Sequence, residues 1–469
     1  MKTRLESDSI GTREVPGEAY YGVQSLRAQE NFSITGRRMN REFLRNLAKI
    51  KKAAARTNQK AGVLEAKRAD AIEKACDEVL AGSLDAEFIV DAVQGGAGTS
   101  ANMNMNEVLA NRANELLGGS LGVYDRVHPN DHVNMAQSTN DVIPTAGKMT
   151  VLTLLDPLIA ELGRLEKKLY GKAYEFGDVI KMGRTQLQDA VPMTLGQSFH
   201  AYAVMTARDR KRIERVKKEM YTVNLGGTAI GSAINASPWY LHNIVPELAG
   251  ISGLPLKQAD DLFDATENLD GFVAVSAALK TCAVDLSKMC NDLRLLSSGP
   301  KTGLGEIGLP ARQNGSSIMP GKVNPVIPEV VTQVAFLVIG HDTTITMAAE
   351  AGQMELNAFE PVLFYNLFES ITAMTGAVST LTDHCIAGIT ANRERCRSLL
   401  LSSAGIATAL NPYIGYKKAA EIAKRSVREN ISVRELVLEE ELMTGEELDR
   451  ILNPYALASA EGADQKAAM

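Results

Sequence analysis

Four short stretches of this chain concentrate neutral hydrogen-bonding side chains around very few charges. They are Gln94–Asn106 (QGGAGTSANMNMN), His132–Asp141 (HVNMAQSTND), Met182–Pro192 (MGRTQLQDAVP) and Asn314–Pro325 (NGSSIMPGKVNP). Read singly, each is a capped helix start or a turn, because Ser, Thr and Asn satisfy free backbone amides. Read together, they suit a site that wraps a small anion in hydrogen bonds and stabilises charge appearing during a reaction, with Lys322 as its cation. The last stretch joins two adjacent serines to glycines and prolines, the composition of a lid with stiff and flexible parts.

Other signatures fall away on their spacing. Gly96–Ala101 (GAGTSA) has the GxGxxA pattern of a dinucleotide-binding turn, but that pattern needs a preceding strand in a βαβ unit, and the patterning here is helical. Gly315–Lys322 (GSSIMPGK) approximates a phosphate-binding loop. Five residues separate its glycines instead of four, however, and Val323 takes the magnesium-holding Ser/Thr position. His128 and His132 flank Asp131 at metal-ligand spacing. Pro129 disrupts the helix such a pair would ride on and no third ligand lies nearby, so both are read as structural and no metal ligand is assigned. None of the six histidines pairs in sequence with a nucleophilic serine or cysteine, which leaves a hydrolase triad without local support.

Long helices must position the clusters. Phe272, Val275, Leu279, Cys282, Leu286, Met289 and Leu293 form an apolar seam with a period of 3.5. Val151, Leu155, Leu158, Leu162, Leu165 and Leu169 form a second; Leu363, Leu367, Ile371, Met374, Val378, Leu381 and Cys385 form a third. Segments of about 25 to 35 residues, roughly 40 to 50 Å long, far exceed the average helix and predict an elongated bundle able to pack against other subunits. Pro361 suits a first helical turn, whereas Pro157 predicts a kink or a later start for its helix. Shorter amphipathic helices are expected over 41–61 and 67–81. These changes of pattern suggest an N-terminal region 1–141, a long-helix region 142–395 and a small region 396–469 ending in a polar tail (ALASAEGADQKAAM) expected to fray.

The composition agrees. Aromatics make up only 5% of the 469 residues, with Trp239 the one tryptophan, which disfavours an all-β fold. With a formal charge of −6 and a mixed-charge stretch at Arg208–Lys218 as its longest basic cluster, the chain lacks a basic face for nucleic acid. Five cysteines without a CxxC pair, no apolar leader and no uninterrupted apolar run of membrane length point to a cytoplasmic protein that engages neither membrane nor nucleic acid.

The loop GSSIMPGKVNP at 315–325 resembles the signature loop of the aspartase/fumarase superfamily, and the other three clusters resemble its remaining blocks in the same order. AYYGVQSLRAQENF at 19–32 is similar to its N-terminal block, and GRTQLQDAVP, PGKVNPVIPEVV and ILNP resemble its aspartate ammonia-lyase branch. The resemblance covers essentially the whole chain. It implies a mainly α, three-domain fold with a long central helical bundle, assembled as a homotetramer whose sites each draw on three subunits. It also implies deamination of L-aspartate, a small dicarboxylate, to fumarate and ammonia without an organic cofactor; an activating divalent cation such as magnesium stays open.

By the same resemblance Ser316 is the general base. Thr99, Ser138, Thr139 and Ser317 hold the β-carboxylate, Thr185, Lys322 and Asn324 the α-carboxylate, and Asn140 and Gln186 surround the amino group. Gln186 stands where fumarases carry His, which favours ammonia over hydroxide as the leaving group. Ala136 replaces the usual Ser, with a looser surrounding shell expected. A fumarase-like hydratase and a non-catalytic member are the alternatives.

Overall fold

A computed structural model describes residues 2–453, so the tail ALASAEGADQKAAM lies outside the described residues. The chain opens with strands β1 (Thr3–Asp8) and β2 (Gly11–Pro16), then helices α1 (Val23–Asn31), α2 (Arg41–Lys60), α3 (Ala66–Ala81) and α4 (Thr99–Leu116). The long α5 (Thr139–Glu175) leads to strands β3 (Ile180–Thr185) and β4 (Gln188–Thr194) and to α6 (Leu195–Val216). Next come β5 (Thr222–Val223), α7 (Pro238–Ser252), β6 (Lys257–Gln258), α8 (Asp264–Glu267), α9 (Asp270–Leu296), β7 (Ile307–Gly308), α10 (Val326–Glu350) and α11 (Glu360–His384). After β8 (Thr390–Ala391), the chain ends in α12 (Arg393–Ser402), α13 (Asn411–Glu429), α14 (Val433–Glu439) and α15 (Gly445–Ile451). The strands form only two-stranded sheets among the described residues. No strand leads directly into Gly96 among the described residues, so the dinucleotide-binding reading of GAGTSA has no structural support.

All three seams are buried: each of their residues is 3% exposed or less. The 41–61 and 67–81 expectations correspond to α2 and α3, and Pro361 sits in the first turn of α11. Of the two outcomes expected for Pro157, the later start is not found. Far from starting late, α5 begins at Thr139 and runs as one helix through Pro144 and Pro157. One missing hydrogen bond and the ring clash cost about 3 kcal/mol. Burial of the five Leu side chains of that seam, at about 1.5–3 kcal/mol each, outweighs that cost.

The membrane expectation is also narrowed. Uninterrupted apolar runs are short, yet α5 and α10 each contain a stretch of mean hydropathy 1.3, long and apolar enough by composition to cross a membrane. Two-thirds of the α5 stretch is buried within the protein. In α10, Val331, Ala335, Val338 and Ile345 are buried while Phe336 (65%) and Met347 (66%) are exposed, so this helix is apolar on both faces.

By contact the chain groups into two compact units. The first draws on residues up to Ile159, Lys211–Ala283 and Phe336–Thr375; the second on Ala160–Arg210, Val284–Ala335 and Gly376 onward. In the second, Ile180 and Met182 of β3 share a core with Leu400, Leu410, Ile422 and Leu436. The three-part division at 141/142 and 395/396 rests on changes of pattern along the chain and stands as a proposal beside this grouping.

Candidate active site

In the first unit, two helices begin side by side with polar residues at their starts. Gly96, Ala97 and Gly98 all take left-handed backbone angles (φ 84, 54 and 85°) and swing the chain into α4 at Thr99. Gly98 can be nothing larger: a Cβ there would lie 2.9 Å from Ile143. Asn102, one turn into α4, donates its side-chain amide to Thr139 Oγ1 at 3.2 Å, which docks the start of α5 against α4. The structure therefore brings Thr99, Ser138, Thr139 and Asn140 into one neighbourhood of two helix N-termini, where partial positive charge favours an anion.

Their hydrogen bonds orient them. Thr139 Oγ1 accepts from Asn102, and Ser138 Oγ accepts from the Asn140 amide at 3.2 Å, so both hydroxyl protons are free to be donated. Asn140 donates Nδ2 to the Ala229 carbonyl at 2.7 Å, leaving Oδ1 as an acceptor. Thr99 Oγ1 donates to the Gly96 carbonyl at 2.7 Å.

Beneath these residues lies a buried frame that the sequence reading did not find. Asp141, fully buried, accepts from the backbone amides of Ser138, Gly226 and Thr228 at 2.9 to 3.1 Å. Burial pushes its pKa up to about 6 against those amides and the charge of Lys51. Lys51 on α2, 0% exposed, reaches Asn134 Oδ1 and Gln137 Oε1, each at 2.9 Å. Burial brings its pKa down to about 7. Ala136 sits within this stitched segment with φ 58°. In sequence, Lys51 is one more cation on an amphipathic helix; only the polar Asn at 102, 104 and 106 hinted at a buried network.

In the second unit, Thr185 and Gln186 lie at the exposed tip of the β3–β4 hairpin, where Thr185 pairs with Gln188 across a two-residue turn. Ser316, Ser317, Lys322 and Asn324 share the irregular loop ahead of α10. Gly315 closes that loop, its amide donating to the Lys322 carbonyl at 2.8 Å, and Asn324 Nδ2 donates to the Gly315 carbonyl at 3.0 Å. Ser316 Oγ accepts from the amides of both Ile318 and Met319 at 3.2 Å. Two N–H groups aimed at one hydroxyl oxygen favour its ionised form. Lys322 is exposed and makes no ion pair among the described residues. No hydrogen bond joins the hairpin pair to the loop residues among the described residues.

His128 and His132 each turn one ring nitrogen, Nδ1, toward backbone amides. His128 Nδ1 accepts from the amides of Asn130 and Asp131, and His132 Nδ1 accepts from the His128 amide. They cap a five-residue π-helical turn that starts at Pro129.

A mainly helical frame carrying neutral donors, one lysine and a serine with a polarised oxygen is the outline of a lyase that handles small carboxylates. The chain belongs to the lyase family: that family's model matches residues 11–340, and a fumarase C C-terminal model matches 406–459. Among its relatives, the aspartate ammonia-lyase of a Bacillus species is 52% identical over 454 residues, covering 97% of each chain. That of Pseudomonas aeruginosa is 53% identical, covering 96% of each. Among solved structures, a Brucella melitensis protein described as a fumarate lyase:delta crystallin bound to cobalt superposes with a TM-score of 0.94 at 50% identity, over 98% of this chain and all of that one. A Schistosoma mansoni class II fumarase also reaches 0.94, at 36% identity, over 97% and 99%.

Proposed function

We propose that this chain is an aspartate ammonia-lyase, interconverting L-aspartate with fumarate and ammonia. The observation that carries the reading is 52% identity to such an enzyme along 97% of the chain. The fold alone does not choose the substrate, since a class II fumarase superposes equally well, but at 36% identity.

The chemistry follows from the donors. The Cβ proton of aspartate is a very weak acid, so catalysis requires binding the resulting charge better than the ground state. Ser316 Oγ, as the alkoxide, takes that proton, and the electron pair passes into the β-carboxylate to give an aci-carboxylate dianion. Ser138, Thr139 and Ser317 donate to its oxygens, and Thr99 joins them by turning its hydroxyl away from the Gly96 carbonyl. The pair then returns to form the Cα–Cβ double bond, and the Cα–N bond breaks with its electrons going to nitrogen, releasing ammonia from the ammonium group. The Ser316 proton returns to solvent or ammonia. Thr185, Lys322 and Asn324 hold the α-carboxylate throughout, while Asn140 Oδ1 and Gln186 accept from the leaving ammonium. Each amide on Ser316 Oγ acts like an oxyanion-hole donor, worth about 10²–10³ in kcat.

The reading calls for no organic cofactor. Its steps are written without an activating cation such as magnesium. The exposed apolar face of α10 supports self-association as a homotetramer. The spread of substrate-holding residues over paired helix starts, a hairpin and a loop suits sites shared between subunits. Five buried free thiols suit the reducing cytoplasm.

Fumarate release, followed by ultraviolet absorbance with L-aspartate, malate and argininosuccinate in parallel, tests the proposal. Aspartate is the expected substrate, and activity on malate alone would make the chain a hydratase. Ser316→Ala should remove nearly all turnover with the melting temperature unchanged; substantial residual activity would displace Ser316 as base.

A further inference from the structure

We propose that the Thr185–Gln186 turn is fixed by a two-sided clamp, in which Glu306 grips Arg184 on one flank and Ser403 grips Asp189 on the other. All four are positioning residues for substrate. This rests on the reading above, in which Thr185 and Gln186 meet the α-carboxylate and amino group.

The turn needs such a device. Gln186 and Leu187 both adopt left-handed backbone angles (φ 55 and 63°), a geometry for which two-residue hairpins normally recruit Asn and Gly. Side chains with a Cβ hold it only when surrounding contacts over-determine it. Packing does not supply those contacts, since Leu187 is 69% exposed. Ahead of the turn the strand register shifts between Met182 and Arg184, at Gly183, where a Cβ would lie 2.8 Å from the Val191 carbonyl. This bulge aims Arg184 at Glu306.

Glu306 is a fixed post. It is 0% exposed; its amide donates to the Leu296 carbonyl at 2.8 Å and its carbonyl accepts from the Asn392 amide at 2.9 Å. Its Oε1 accepts from Arg184 Nη1 at 2.9 Å, and Oε2 lies 3.3 Å from Lys181 Nζ. Lys181 in turn donates to the Met182 carbonyl at 2.8 Å, so both cations of β3 are tied to one carboxylate. On the far flank, Asp189 Oδ2 accepts from Ser403 Oγ at 2.6 Å, and Ser403 is itself oriented by the Gly405 amide at 3.0 Å. Asp189 Oδ1 stands 3.9 Å from Arg184 Nε, closing the ring beneath the turn. A buried ion pair contributes little net stability against apolar replacements, and its value lies in specifying geometry. Here the geometry specified is that of two exposed polar side chains.

Ser403→Ala and Asp189→Asn test the clamp, with Glu306→Gln as an isosteric third. Steady-state kinetics with L-aspartate should show KM raised about tenfold and kcat within about threefold, the signature of lost ground-state positioning. Adding Asp189→Asn to the Thr185→Ala/Gln186→Ala variant should cost no more than that variant alone, because the clamp acts through those two residues. A readout independent of turnover is trypsin cleavage after Arg184, identified by fragment mass. It should be slow in the wild type and about tenfold faster in each variant, as the turn opens locally. Unchanged KM in active variants, additive losses when Asp189→Asn is added to Thr185→Ala/Gln186→Ala, or cleavage after Arg184 no faster than in the wild type would each overturn the clamp. Wild-type protein that releases no fumarate from aspartate would instead remove the substrate reading, and cleavage alone then decides the clamp.

Discussion

Replacing Lys51 with methionine should separate stability from activity in a way that can be calculated from the structure. The ammonium group is sealed under the 134–137 segment at 0% exposure, held by Asn134 Oδ1 and Gln137 Oε1. Burial is the largest influence on it and lowers its pKa from 10.5 to about 7, opposed by Asp141 and Cys76. In the unfolded chain the amine titrates near its ordinary value. Between pH 7 and 10.5 the unfolded state therefore binds more protons than the folded one, and stability rises with pH through that window. At 1.36 kcal/mol per unit, a difference of about 3.5 units is worth about 5 kcal/mol, all of it a penalty below pH 7 and none of it left above 10.5. Methionine, of similar length and without a proton, removes the penalty. It also strips Gln137 Oε1 of its donor, at about 1–3 kcal/mol. Asn134 Oδ1 keeps the amides of Asn102 and Asn106, each at 3.2 Å. Lys51→Met should thus be more stable than the wild type by about 2–4 kcal/mol at pH 7, with the order reversed by pH 10. Its KM for aspartate should rise, because the segment leading to Ser138 has lost a tether. Urea unfolding of both proteins at one chain concentration, from pH 7 to 10, reads the difference; groups other than the coupled neighbours Asp141 and Cys76 titrate alike in both and cancel. Parallel stability curves would show that Lys51 is charged at neutral pH without penalty and that the reasoning is wrong.

Two further changes probe the loop and the exposed helix. In Gly315→Ala the new Cβ would lie 2.6 Å from the Lys322 carbonyl oxygen and 2.9 Å from the Asn324 amide, so the loop cannot close as it does. A displacement of about 1 Å at Ser316 should lower kcat by about 10²-fold with the melting temperature nearly unchanged, and full activity would show that loop closure does not position the base. Phe336→Glu places a charge on the exposed apolar face of α10. Losing about 1.5–3 kcal/mol of burial per side chain should weaken subunit association at least tenfold to a hundredfold. Light scattering over a dilution series would show smaller species than for the wild type; an unchanged mass at all concentrations would place the subunit interface elsewhere.

How much of this was legible in the sequence depends on the range over which each feature is encoded. A helical seam is written in its own segment, because each residue's neighbours three and four positions away share its face. The seams through Leu155, Leu279 and Leu367 could therefore be read directly, and all are buried. The same rule failed to single out α10, whose apolar residues lie on both faces and leave no stripe to detect. It also allowed a late helix start at Pro157, because a local cost was weighed without the burial that offsets it.

The site divides along the same line. Residues proposed to meet substrate cluster in sequence, since a loop or helix start presents neighbouring side chains together, and Ser316, Ser317, Lys322 and Asn324 all come from one stretch. The residues that hold such a loop or turn in place come from far along the chain. Lys51 lies more than 80 positions from Asn134, Glu306 more than 120 from Arg184, and Ser403 more than 200 from Asp189. Nothing in a helix reading Ile50, Lys51, Lys52 or a loop reading Gly305, Glu306, Ile307 marks one charge as buried and its neighbour as solvated. Only the fold makes that distinction, by removing water from Lys51 and Glu306. A buried charge in turn must be met by specific partners, so it locks the geometry of whatever it touches. In both units, what it touches is a side chain just ahead of residues proposed to hold substrate: Asn134 and Gln137 ahead of Ser138, and Arg184 ahead of Thr185. On the proposed function the short polar stretches thus specify which groups meet the substrate, and distant buried charges specify where those groups stand.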